Sequence, residues 1–120
     1  MTWKTDLRER CFQFGVVLLK MYPRLCKINF AYAHIGLQLF RAGSSIGAQL
    51  EEGDVANSKR DMGAKHAIAL REAKEARYWL RYLLVTNVLP DDAKPLYREA
   101  DEFVAMLTTS VKKLRRPQAE

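Results

Sequence analysis

The stretch from Ser58 to Thr86, SKRDMGAKHAIALREAKEARYWLRYLLVT, decides the fold. Met62, His66, Ala69, Ala73, Ala76, Leu80 and Leu83 recur at alternating spacings of four and three. A chain that turns once every 3.6 residues puts all of them on one side. Ile68 and Trp79 flank that stripe. Ser58, with Asp61 three residues on, has the look of an N-cap followed by an acidic first turn. The spacing predicts an amphipathic helix over residues 59–86, with alanines that let a neighbour pack closely.

The same periodicity extends outward. Over residues 30–53, Tyr32, Ile35, Leu39, Ala42 and Ile46 form a stripe, and Gln49 and Gly53 fall where further apolar residues are due. Gly43 and Gly47, beside Ala48, make a small surface that another helix can approach. Over residues 6–22 the stripe is Leu7, Cys11, Phe14, Leu18 and Met21, and Pro23 is expected to end it. Over residues 92–114 it is Leu96, Ala100, Phe103, Leu107 and Leu114. Asp91 and Asp92 suit the positive end of that last helix; Lys112, Lys113, Arg115 and Arg116 suit its negative end. Pro95 lies near its start, where a missing N–H is tolerated, and Pro117 falls in the tail. Nothing reads as a strand. Four amphipathic helices with short connections each need an apolar partner face. The expected fold is therefore all-α, an antiparallel up-down four-helix bundle, with residues 1–120 as one domain.

Composition bounds the function. The 120 residues are 48% hydrophobic and 28% charged, as in an ordinary globular domain. No apolar run approaches the roughly 18 residues a membrane span needs; Gly15 to Leu19 stops at Lys20. Asp6 and Glu9 come early, with no cleavable apolar segment, so no secretion signal is read. Cys11 and Cys26 are expected as two buried thiols, which points to the cytoplasm. Twenty Lys and Arg against fourteen Asp and Glu give a formal charge of +6, which favours acidic partners. A di-iron bundle needs Glu-x-x-His pairs, and neither His34 nor His66 has a Glu three residues before it. A phosphate loop, a zinc cysteine pair and a Gly-x-Ser-x-Gly elbow are absent too. No metal, cofactor or small-molecule substrate is expected.

Three constellations remain. On the second helix His34, Gln38, Arg41, Ser45 and Glu52 share a flank, with Gln49 at the edge of the apolar stripe. Such a line is either a solvated face or a contact, and a subunit contact suits it better than a small ligand. On the third helix Glu72 points between Ile68, Trp79 and Leu83, with Lys65 two turns earlier. A half-buried carboxylate there must be paired, with Arg41 or a neighbouring subunit's cation, or protonated. A general acid or base is the weaker reading, because no second acid, histidine or nucleophile is grouped with it. Finally Arg60, Arg71, Lys74, Arg77 and Arg81 fall on the side of the third helix away from Ala69, Ala76 and Leu80, interrupted only by Glu75. This stripe is a solvated face or, with the basic C-terminal residues, a set of phosphate contacts; Tyr78 lies among the charges and could stack on a base.

The run Gln38-Leu-Phe-Arg-Ala-Gly-Ser-Ser-Ile-Gly-Ala-Gln-Leu-Glu-Glu-Gly53 resembles the pattern Q-L-x-R-S-x-x-S-I-x-A-N-x-x-E-G of bacterial four-helix-bundle proteins encoded by intervening sequences in 23S ribosomal RNA genes. Ser58-Lys-Arg-Asp-Met, Lys65, Ala69-Leu-Arg-Glu-Ala-Lys-Glu and Tyr78-Trp-Leu continue the likeness in order and spacing. The sequence departs at Ala42, where the pattern has Ser, and at Gln49, where it has Asn. The resemblance implies a bundle assembled as a homo-oligomeric ring, with five subunits in relatives. It also implies a link to nucleic acid, since some relatives accompany the reverse transcriptases of diversity-generating retroelements. The family's motif residues map onto Arg41, Ser45, Gln49, Glu52, Lys65 and Glu72, as determinants of fold and interface.

The expectation is thus a non-enzymatic, basic, homo-oligomeric bundle that contacts structured RNA or DNA through Arg60, Arg71, Lys74, Arg77 and Arg81. The alternative is a scaffold whose ring presents a surface to another protein.

Overall fold

The computed structural model describes residues 3–115, with side chains from residue 6. Arg116 and Pro117 lie outside the described residues. Four helices follow one another: α1 Trp3–Cys26, α2 Phe30–Asp54, α3 Lys59–Val85 and α4 Pro90–Arg115. No strand occurs among the described residues. The bundle measures 57 × 25 × 22 Å. α1 lies beside α2, α2 beside α3 and α3 beside α4, while α1 and α4 have fewer close backbone approaches. Arg8 near the start of α1 donates to Asp54 at the end of α2 at 3.0 Å. His66 and Ser110, both buried, meet at 2.6 Å where the start of α3 lies beside the end of α4.

Two caps start helices as side-chain chemistry predicts. Asn29 Oδ1 accepts from Tyr32 N–H at 3.0 Å, and Ser58 Oγ accepts from Asp61 N–H at 3.1 Å. Each satisfies an otherwise orphaned N–H and is worth about 1 kcal/mol. Asn87 and Leu89 take positive φ of 55° and 45° in the turn before Pro90. Pro90 then opens α4 in the first helical position, which lacks an N–H partner anyway.

Pro23 does not end α1, contrary to expectation; the helix continues to Cys26. A proline inside a helix costs roughly 3 kcal/mol, for a lost hydrogen bond and a ring clash. Leu25, fully buried, supplies the offset. It extends the stripe of Leu7, Cys11, Phe14, Leu18 and Met21 by one more turn, and burying a leucine is worth about 1.5–3 kcal/mol. The stripe of α2 also shifts. Leu39, Ala42, Ile46 and Leu50 are buried, whereas Tyr32, Ile35 and Gln49 are only half-buried.

Gly43 lets α1 seat on α2. A Cβ there would run into Leu18 Cδ1 and come within 2.9 Å of Phe14 Cε1. Both neighbours are buried, so the core must repack to admit it. Gly15 faces α2 differently, since its Cβ would sit 3.7 Å from the Ser44 Cα, an ordinary contact. Opposite signs follow. Gly43→Ala should lose about 1–3 kcal/mol by overpacking. Gly15→Ala should gain about 0.5–1 kcal/mol, because alanine is the better helix former. Urea melts of both variants check this, and losses of equal size would contradict it.

The two cysteines differ. Cys11 is buried, but Cys26 is exposed, which corrects the expectation of two buried thiols. Both are free, and at a rise of 1.5 Å per residue they stand about 22 Å apart on one helix, too far for a disulfide. Burial pushes the Cys11 thiol up to about 12, against a small opposing pull from the Arg10 charge. At pH 8 a thiol reagent should therefore label one cysteine, Cys26, in the folded protein and both after unfolding. Rapid labelling of two would contradict the burial.

The α1–α4 seam is closed by one aromatic pair and one clamp. Phe14 and Phe103 meet edge to face with centroids 5.4 Å apart. Arg10 grips Glu99 with two nitrogens, reaches Glu102 at 3.4 Å, and holds its guanidinium 5.4 Å from the Phe103 ring centre. The hydrogen bond to Glu99 raises the Arg10 pKa further, so the clamp stays charged.

Candidate nucleic-acid interface

Burying Ala69, Ala73, Ala76, Leu80 and Leu83 turns the opposite side of α3 outward. Arg60, Arg71, Lys74 and Arg81 are exposed there. Their positions span that face within roughly 80° at 100° per residue. Arg71 has a side chain 73% exposed and touches only the neighbouring Glu72, at 3.6 Å. No ion pair is seen at Arg60, Lys74 or Arg81 among the described residues. Arg77 departs from the expected set. It turns towards α4, is half-buried, and donates to Asp101 at 2.7 Å, which neutralises its charge. The outward stripe is thus four residues, not five.

Each end of the stripe gains something. At its start a Gly63 Cβ would lie 3.3 Å from the Leu114 Cβ, so the end of α4 packs beside the start of α3. That brings the exposed Lys112, Lys113 and Arg115 to the Arg60 end. At the other end stand three aromatic rings. Tyr78 and Tyr82, 51% and 43% exposed, lie 5.3 Å apart at a steep angle. Trp79 stacks on Tyr82 at 5.8 Å and 28°, and meets Tyr78 edge-on. The two tyrosine hydroxyls share a hydrogen bond of 2.9 Å. That bond pushes the Tyr78 phenol upward, which keeps it protonated and neutral at physiological pH.

The polar flank of α2 meets α3 along one seam. Lys65 Nζ pairs with Glu52 Oε2 at 3.2 Å. Glu72, its side chain 20% exposed, pairs with Arg71 rather than with Arg41. Arg41 is exposed, and Ser45 is half-buried. His34 sits edge-on to Trp79 at 6.2 Å. Two buried atoms on this seam, Gln49 Oε1 and Trp79 Nε1, have no protein hydrogen-bond partner among the described residues. Leaving such an atom unsatisfied costs about 1–3 kcal/mol. The motif residues are therefore spread along the α2–α3 seam, with Glu52 and Lys65 joined directly.

Sequence reasoning missed a second surface. Phe12 and Leu19 are 63% and 56% exposed, and with Phe40, Ser44, Gly47 and Ala48 they line an apolar groove of about 400 Å³ between α1 and α2. The signal was available. Phe12, Val16 and Leu19 fall together on one side of α1, outside its core stripe, and make a second apolar face. Tyr82 was missed too, although it stands one turn after Tyr78. Among the described residues no group of three or more His, Cys, Asp or Glu side chains gathers as a metal would require. No helix among them is long and apolar enough to cross a membrane.

The profile of the 23S rRNA-intervening sequence protein family matches residues 6–109. The fold is also similar to the crystal structure of a protein of unknown function from the S23 ribosomal protein family of Bacteroides thetaiotaomicron VPI-5482. The TM-score is 0.78 at 28% identity, over 88% of this chain and 98% of that one. No curated protein matches the chain.

Proposed function

Because the chain belongs to the 23S rRNA-intervening sequence protein family, we propose that it is a non-enzymatic, self-assembling basic bundle that holds structured RNA or DNA by its phosphates. The observation that carries this reading is the outward face of α3. There Arg60, Arg71, Lys74 and Arg81 are exposed, with an ion pair among the described residues only at Arg71, and the exposed Lys112, Lys113 and Arg115 lie at the same end of the bundle as Arg60. Cations in a row release counterions when they meet a phosphate backbone, and that supplies affinity without reading sequence. Filter binding of a labelled hairpin RNA and a duplex DNA at low ionic strength tests it. Retention of either supports the proposal; passage of both contradicts it.

The bundle is antiparallel and up-down, a reading supported by its short connections and by the ion pairs between helix starts and ends. It assembles as a homo-oligomeric ring, five subunits by family resemblance. Two features support assembly: the apolar groove of α1 and α2, and the unsatisfied atoms of Gln49 and Trp79 on the α2–α3 seam. A ring would repeat the α3 stripe around its circumference and multiply weak phosphate contacts. The free thiols fit the reducing cytoplasm.

The groove also favours a second reading, a scaffold that presents the ring to another protein, with the positive charge matched to an acidic partner. Pull-down from native lysate with and without nuclease separates the two. A partner that survives nuclease favours the scaffold, and one lost with it favours nucleic acid.

A further inference from the structure

At the end of the basic stripe, Tyr78, Arg81, Tyr82 and Val85 line a surface cavity of about 320 Å³. They stand at positions i, i+3, i+4 and i+7, one face of one helix. Exposed aromatic rings are costly to leave in water, and two of them, Tyr78 and Tyr82, gather here against the half-buried Trp79. Trp79 backs Tyr82 and fixes its ring. The hydroxyl-to-hydroxyl bond fixes the two tyrosines against each other. The result is a rigid, neutral aromatic platform inside a cationic stripe.

We infer that this platform is a stacking site for an unpaired nucleobase, with the flanking phosphates held by Lys74 and Arg81. The inference rests on the nucleic-acid reading above and adds what kind of nucleic acid the protein selects. Spacing supports it. Lys74 lies one turn before Tyr78 and Arg81 just under one turn after, about 6 Å and 4.5 Å along the axis, so the two long cationic side chains stand about 10.5 Å apart on either side of the ring. A base between them would stack on one tyrosine ring and meet the edge of the other, since the two are inclined at 81°, with the Arg81 guanidinium beside it. Charge selects the occupant. The stripe around the cavity is positive, with Arg71, Lys74 and Arg81 and only Glu75 towards one edge. A purely apolar peptide would gain nothing from those cations. In a duplex every base face is already covered, so the site fits a loop, bulge, end or single strand.

The test compares a single-stranded oligonucleotide with an abasic strand of the same length and charge, in ribose and deoxyribose forms. The intact strand should bind about tenfold more tightly than the abasic one, given the usual size of base–aromatic stacking. Tyr78→Leu with Tyr82→Leu should erase that difference and leave abasic binding unchanged. Leucine keeps Trp79 covered, and circular dichroism verifies the fold. Lys74→Ala with Arg81→Ala should weaken binding to both strands. A preference for either sugar identifies the source of the base and supports the site.

Equal binding of intact and abasic strands, with steep salt dependence, would overturn the stacking site and leave the phosphate reading standing. A preference for bases that survives the double tyrosine variant would overturn this location. Absence of binding to every strand at low salt would overturn both the site and the reading on which it rests.

Discussion

Replacing Arg71, Lys74 and Arg81 together by alanine is expected to lower affinity for a structured RNA or a duplex DNA by on the order of a hundredfold at low salt. Each phosphate contact contributes about 0.9 to the slope of log affinity against log salt, so three lost contacts flatten that slope by roughly 3 for each subunit that touches the ligand. The variant should remain folded. All three side chains are exposed on α3, none supports the core, and alanine is the strongest helix former. Arg77→Ala is the matched control. Its charge is bound to Asp101, so it should cost little affinity while loosening the α3–α4 contact slightly. A triple variant that is folded and binds as tightly as the parent would contradict the assignment.

Phe103→Ala is expected to cost about 3–5 kcal/mol of stability. Phe103 is fully buried, meets Phe14 edge to face, and carries the Arg10 guanidinium over its ring. It joins α4 to α1 at the seam where their backbones approach least. Removing it opens a cavity and also strips the apolar floor from the Arg10–Glu99 clamp. Against a total of about 5–15 kcal/mol for a domain, that is about a fifth or more. Val55→Ala serves as reference. At 81% exposed, beyond the end of α2, it should stay within about 0.5 kcal/mol of the parent. Urea denaturation gives both values. Comparable losses in the two variants would mean that the α1–α4 seam carries little of the stability.

Much of the bundle was legible because α3 repeats its spacing without a fault for seven positions. Buried residues there follow the stripe from His66 to Leu83. Legibility failed where one interaction overrode a local rule. Pro23 is a helix breaker by propensity, yet Leu25 beyond it reaches the core and keeps the helix running to Cys26. No periodicity announces that balance, because it depends on where α4 and α2 stand. Cys26 was misplaced for the same reason, since it follows Leu25 on the continued helix and turns outward.

The candidate site shows the same division. The outward direction of Arg60, Arg71, Lys74 and Arg81 follows from helix geometry alone. The capture of Arg77 by Asp101 does not, because it depends on the rotation of α4 against α3, which a stripe leaves open by tens of degrees. Glu72 was recognised as half-buried, but its partner is the adjacent Arg71 rather than Arg41 across the seam. The aromatic end of the stripe was half legible. Tyr78 stood out among charges, while Tyr82 and Val85 were not singled out, because they stand beside Leu83 and Leu84 in a run without charges.

The central claim is that a row of cations on α3 binds phosphates, and its most direct test is a salt titration. Affinity for a hairpin RNA and a duplex DNA is measured at several salt concentrations. The account predicts a steep log-linear fall, with a slope near 0.9 for each duplex phosphate contacted and so about 3 to 4 from one subunit's stripe. A flat dependence, or no binding even at low salt, would contradict it and leave the +6 charge as a solvated surface.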